Sequence, residues 1–229
     1  MVNYFGYVSG GSDMFCIAYR KIKVKDKSGS LSGIVIHDEC VENQGFCLYQ
    51  EDNGVINLKY YKKINSRLET GLLETTIANS IRYADIFIMP DRDLMMISGS
   101  RYCINALQNF SGFRKMFYIE RLSLDINECL KVYSFMKPEV KQISLENVKA
   151  FDISLSKMTM ELKNSLDSYK LLSNKKLNIT EVLLKVNTTS MFFELLIDLK
   201  DGEIFFDNID YILREFSEIK NFGMLMLEE

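Results

Sequence analysis

An Asn53-Gly54 dipeptide set between two apolar-rich runs constrains this chain more than any other feature. Both residues tolerate the positive φ that a two-residue type I′ turn requires. They separate Phe46-Cys47-Leu48-Tyr49 from Val55-Ile56-Asn57-Leu58-Lys59-Tyr60-Tyr61, and the spacing predicts a hairpin. Upstream, Met14-Phe15-Cys16-Ile17-Ala18-Tyr19 leads into the strict alternation Lys21-Ile22-Lys23-Val24-Lys25. The turn Lys27-Ser28-Gly29-Ser30 and the run Ile34-Val35-Ile36 follow. Period-two patterning marks half-buried strands, so residues 1 to about 63 read as an antiparallel meander. Leu68 to Ile81 reads as a short helix or loop.

The next stretch adds helix to sheet. Ala84 to Met89 predicts a strand, Pro90-Asp91-Arg92-Asp93 a turn, and Leu94 to Ile97 a second strand. Ser100 is placed to cap a helix through Phe110 with Cys103, Ile104, Leu107 and Phe110 on one face. A similar order returns at Phe192 to Ile197, Lys200-Asp201-Gly202-Glu203 and Ile204 to Phe206, with a helix expected after Asp207 or Asn208. Two such runs suggest an α+β fold, mainly antiparallel sheet with helices packed on it, built from two ββα-type units by internal duplication. Between them, Met116 to Ile119 predicts a strand, Asp125 with Glu128 a capped helix through about Met136, and Val140 to Val148, Lys157 to Lys163 and Ile179 to Val186 three further strands. Asn164 to Leu172 reads as helical. A domain boundary near Lys137-Pro138 divides the chain into 1–137 and 138–229, with a single continuous domain as the alternative.

Composition removes several function classes. At 229 residues, 47% hydrophobic and 26% charged with 2 Pro, the chain has the makeup of a globular protein with a substantial core. It contains one histidine, His37, so no chemistry needing two imidazoles from one chain is available. Its five cysteines, Cys16, Cys40, Cys47, Cys103 and Cys129, show no CxxC spacing and are odd in number, which argues against a zinc ribbon or a disulfide framework. Cys16 and Cys103 lie among apolar neighbours and read as core. Neither a phosphate-binding glycine loop nor a GxSxG elbow occurs, so no cofactor and no metal is expected. The N-terminal residues lack a secretory pattern and no apolar run approaches about 20 residues. The expectation is a cytoplasmic protein without a membrane partner.

Charge points to partners. Residues 1–70 and 71–137 each carry a net +1, and residues 138–229 a net −5. Within the basic front, Lys21, Lys23, Lys25 and Lys27 fall at period two, which on a strand places four ammonium groups on one face. Such a row guards an exposed edge strand, contacts a nucleic-acid backbone or meets an acidic protein partner. Lys59-Tyr60-Tyr61-Lys62-Lys63, with Arg67 beyond, interleaves cations with rings, a combination that binds phosphates and stacks bases.

Pro90-Asp91, followed by Glu139-Val140-Lys141, resembles the PD-(D/E)xK pattern of restriction-type nucleases. The resemblance implies that Asp91 and Glu139 bind a divalent metal and that Lys141 positions the attacking water. Read without it, Asp91 and Asp93 stabilise a hairpin turn by hydrogen-bonding their own backbone.

With no convergent catalytic set, the sequence leads to a non-catalytic interaction or regulatory subunit of an intracellular assembly, binding a protein partner or itself. The alternative is a nucleic-acid-binding protein or metal-dependent nuclease. Lysine outnumbers arginine 20 to 8, a bias that follows AT-rich coding and fits a mobile element or a protein of host–phage conflict.

Overall fold

A computed structural model describes residues 14–25, 34–36, 42–70, 74–132, 138–150, 153–162, 171–172, 174, 176–187 and 192–206. In chain order the elements are β1 (Phe15–Val24), β2 (Gln44–Asp52), β3 (Val55–Thr70), β4 (Glu74–Met89), β5 (Leu94–Ser100), α1 (Arg101–Asn109), α2 (Ser111–Met116), β6 (Phe117–Arg121) and α3 (Ile126–Val132). They continue as β7 (Glu139–Ala150), β8 (Ile153–Glu161), β9 (Ile179–Asn187), β10 (Phe192–Asp198) and β11 (Glu203–Phe206). The chain divides into two compact units, parting inside β1 between Arg20 and Lys21 and again between Glu120 and Arg121.

The first unit pairs its strands in the order β2-β3-β4-β5-β1, with β6 also on β1. The β2–β3 hairpin turns at Asn53 and Gly54, whose φ values of 50° and 78° are the positive pair the sequence calls for. From β4 the chain reaches β5 through a 3-10 turn at Pro90–Arg92, closed by the Asp93 N–H donating to the Pro90 carbonyl at 3.2 Å. The Ser100 hydroxyl then accepts the Cys103 N–H at 3.2 Å and starts α1, satisfying one of the donors a helix start leaves unpaired. Cys103, Ile104 and Leu107 are buried. Rings from β2, β3 and the helices close this core: Phe46 and Tyr60 each stand 5.9 Å from Phe110, and Phe113 is 5.2 Å from Phe117.

The second unit pairs β1-β11-β10-β9-β7-β8. Phe15 to Ala18 pair with Phe206 to Glu203, and the Phe15 and Phe206 rings meet edge-on at 5.7 Å. All six residues Phe15–Arg20 are buried. Between β10 and β11 the Asp198 carboxylate accepts the N–H groups of Lys200 and Asp201 at 3.1 and 2.9 Å, an Asx-type turn. Asp125 starts α3 by accepting from Asn127 and Glu128 at 2.7 and 3.4 Å.

The α+β expectation is corrected. Among the described residues the protein is predominantly antiparallel sheet, eleven strands with three helices of only 9, 6 and 7 residues. The largest single error is Leu68 to Ile81, expected as helix or loop. Residues 68–70 extend β3, and 74–81 begin β4, in register from Leu68↔Thr76 to Thr70↔Glu74. Thr70, Thr75, Thr76, Ile77 and Ile81 are β-branched and suit a pleated strand better than a helix. Of the two ββα runs, β4-turn-β5-α1 forms as expected. The helix expected after β11 lies outside the described residues, as do most of 164–172 and the 27–30 turn. Ile34-Val35-Ile36 contributes an isolated parallel bridge from Ile36 to Phe46 instead of a strand. No described helix is long and apolar enough to cross a membrane.

Candidate functional site

The lysine row lies on the second half of β1. Lys21, Lys23 and Lys25 are exposed while Ile22 between them is buried, the alternation that a strand with one solvent face requires. Lys27 lies outside the described residues.

The edge-guard reading of this row is corrected by its hydrogen bonds. The Ile22 N–H donates to the Asp93 carbonyl at 2.8 Å, and the Lys25 N–H donates to the Met116 carbonyl at 2.9 Å. Residues an odd number apart on a strand point their N–H groups to opposite sides, so β1 is bonded on both sides here, beside β5 and beside β6. A strand with both sides paired has no edge to protect. The three ammonium groups therefore sit on the face of a sheet.

Tyr118 of β6 joins them. Its ring is 61% exposed, and the Lys25 ammonium stands 4.3 Å from the ring centroid, a cation–π contact of about 0.5–1 kcal/mol at an exposed site. The same ammonium donates to the Arg114 carbonyl at 2.6 Å, which ties it to the last turn of α2, where Arg114 and Lys115 are themselves exposed. Phe117, the preceding residue of β6, is buried against Phe113. That alternation turns Tyr118 outward. The cluster is thus Lys21, Lys23, Lys25, Arg114, Lys115 and Tyr118, with Glu120 exposed two residues past the ring. The sequence reading had the lysines and the β6 strand but not Tyr118, Arg114 or Lys115; the signal was Arg114-Lys115 immediately before an alternating Phe117-Tyr118-Ile119.

The second cation–aromatic run does not form a stacking platform. Tyr60 and Tyr61 are both 0% exposed, because at this point β3 is covered on both faces, so neither ring is open to a base. The Tyr60 hydroxyl donates to Gln44 Oε1 at 2.9 Å, and burial pushes its phenol well above the usual range. Lys62 donates to the same oxygen at 2.8 Å. Lys59 stands 3.7 Å from Asp85 and over the Tyr83 ring at 5.5 Å. Lys63 is half-buried, and nothing is described of the Arg67 side chain.

Of the nuclease-like residues, Glu139 and Lys141 are each other's partners. Asp91 is exposed within the Pro90–Arg92 turn of the first unit. Glu139 and Lys141 belong to β7 in the second, where they pair with each other at 2.8 Å. The Lys141 ammonium hydrogen-bonded to it holds the Glu139 carboxyl below the usual carboxylate range. Among the described residues, no three His, Cys, Asp or Glu side chains gather where they could hold a metal ion.

The thiols are equally placed by burial. Desolvation pushes Cys103 and Cys129 up to about 12 each, which leaves about one part in ten thousand as thiolate at pH 8. Iodoacetamide at pH 8 followed by peptide mapping is expected to leave Cys103 and Cys129 unmodified in the folded protein while the half-buried Cys47 is alkylated first of the three. Labelling of all three at one rate would contradict the packing. His37 and Cys40 lie outside the described residues.

No protein-family model matches the chain, and a search of curated proteins finds no match either.

Proposed function

We propose that this protein is a non-catalytic interaction subunit that engages nucleic acid through the β1 face, contacting the phosphate backbone with Lys21, Lys23 and Lys25. The carrying observation is that these three exposed ammonium groups occupy a strand bonded on both sides. Strand residues two apart are separated by about 6.6–6.8 Å, so the three charges form a line that a polyanion can follow. Like charges this close disfavour one another unless an anion lies against them. The net charge of −3 for the whole chain does not oppose this, because binding follows the local potential of the face and steering acts within about 10 Å at 0.1 M salt.

Fluorescence anisotropy with labelled oligonucleotides at several salt concentrations tests the reading. Replacing Lys21, Lys23 and Lys25 together by Ala is expected to weaken binding about tenfold or more and to reduce the slope of log affinity against log salt by about 2 to 3. Replacing Lys149 and Lys176, exposed in the second unit, is expected to change neither. An unaltered slope in the triple variant would remove the face from the mechanism.

A further inference from the structure

We propose that the nucleic acid taken by this face is single-stranded, with its backbone along the lysines of β1 and a base stacked on Tyr118. The inference rests on the reading of the face as a nucleic-acid surface and adds the form of the ligand. Its basis is the placement of the ring. Tyr118 is 61% exposed on the strand paired with β1, and Lys25 stands over the ring 4.3 Å from its centroid. The ammonium lies over one ring face, and a residue still 61% exposed has surface left for a ligand.

With the Lys25 cation over one face, a base stacks on ring surface that remains exposed. The Lys25 bond to the Arg114 carbonyl at 2.6 Å fixes that cation, so the ring and its ammonium form a set piece at one end of the lysine row. A base on the other face of Tyr118 has the ring between it and Lys25, and the phosphates that follow reach Lys23 and Lys21 along the strand. Arg114 and Lys115, exposed in the last turn of α2, add positive charge near the Lys25 anchor. Glu120, exposed two residues beyond Tyr118 on the same strand, is a negative charge that disfavours phosphate beside it.

A duplex cannot use this arrangement fully. Its bases are stacked on one another, and exposing one requires unpairing it. A duplex lying on the face gains from the lysines alone, whereas a single strand gains from the lysines and the ring. Tyr118 is therefore the residue that discriminates the two ligand forms.

The test measures anisotropy of fluorescein-labelled oligo-dT, oligo-U and a blunt duplex of the same length with the full chain and three variants. Tyr118→Leu is expected to weaken oligo-dT or oligo-U binding about tenfold and to change duplex binding less than twofold. Tyr118→Phe is expected to retain single-strand binding, since the ring and not the hydroxyl stacks. The relative effect on oligo-dT and oligo-U identifies which sugar the face prefers. Single-strand affinity unchanged in Tyr118→Leu, equal losses on single strand and duplex, or binding of duplex alone would each overturn the inference while leaving the backbone reading standing. Wild-type affinity in the Lys21, Lys23, Lys25 triple variant would overturn both. Circular dichroism of Tyr118→Leu is expected to match the parent, because an exposed ring contributes little to the core.

Discussion

Gly202→Ala is expected to unfold the second unit. Gly202 adopts φ +64°, and a Cβ there would lie 2.0 Å from the Leu122 carbonyl oxygen, 3.1 Å from its carbon and 3.2 Å from the Tyr19 oxygen. All three are backbone atoms, which cannot rotate away as a side chain can. Relieving the overlap means moving the β10–β11 turn and losing the Tyr19 N–H bond to the Gly202 carbonyl at 2.8 Å. The expected cost is about 4 kcal/mol or more, in the range reserved for a named steric or backbone failure. Gly54→Ala is the comparison. Its φ is also positive, at +78°, but the nearest atom to an added Cβ is Asp91 Oδ2 at 3.8 Å. That variant carries only the left-handed backbone penalty, about 1–2 kcal/mol. Urea unfolding followed by circular dichroism compares the two; equal midpoints would contradict a steric cost specific to Gly202.

Arg20→Met is expected to cost about 3–5 kcal/mol, the range for removing one partner of a buried ion pair. The Arg20 side chain is 4% exposed, pairs with Glu203, and donates to the carbonyl oxygens of Tyr19 and Asp201, each at 2.8 Å. Removing the guanidinium leaves a carboxylate at 15% exposure, one buried carbonyl and one half-buried carbonyl without this donor. Glu203→Gln keeps the shape and an acceptor oxygen, so about 1–3 kcal/mol is expected. The double variant is expected to lose less than the sum of the singles, because the second change removes a group already left unpaired. Strict additivity in urea midpoints would mean that the two side chains act independently.

Legibility in the sequence followed the range of the interaction. The Asn53-Gly54 turn, the Ser100 cap and the Asp125 cap were readable because each is decided within four residues. The alternation at Lys21 to Lys25 was readable for the same reason. What the sequence did not disclose is that this strand is flanked on both sides, since the neighbours that settle it, Asp93 and Met116, are distant in the chain. Tyr60 and Tyr61 failed in a related way. Adjacent strand residues point to opposite faces, and charged neighbours suggested that at least one face was wet. Burial of both is decided by what packs over β3, which the local pattern does not encode. Arg20 passed unnoticed between Tyr19 and Lys21 because its partner Glu203 is 183 residues away. Leu68 to Ile81 was misread for lack of clean alternation, although its β-branched residues favoured a strand.

The division of β1 between the two units bears on how the chain acquires its structure. Its first half completes a sheet whose other strands are all made after residue 120, and Arg20 must await Asp201, 181 residues later. During synthesis the apolar segment Phe15–Tyr19 therefore leaves the ribosome long before the strand that covers it. Closing so long a loop is slow, and an exposed strand of this kind is prone to wrong pairings in the interval. Cutting the gene at residue 120 would not separate two independent folding units either. The downstream fragment would keep β10 beside β11 but leave the β1 side of β11 open, and adding residues 14–20 as a separate peptide would be the direct way to fill it.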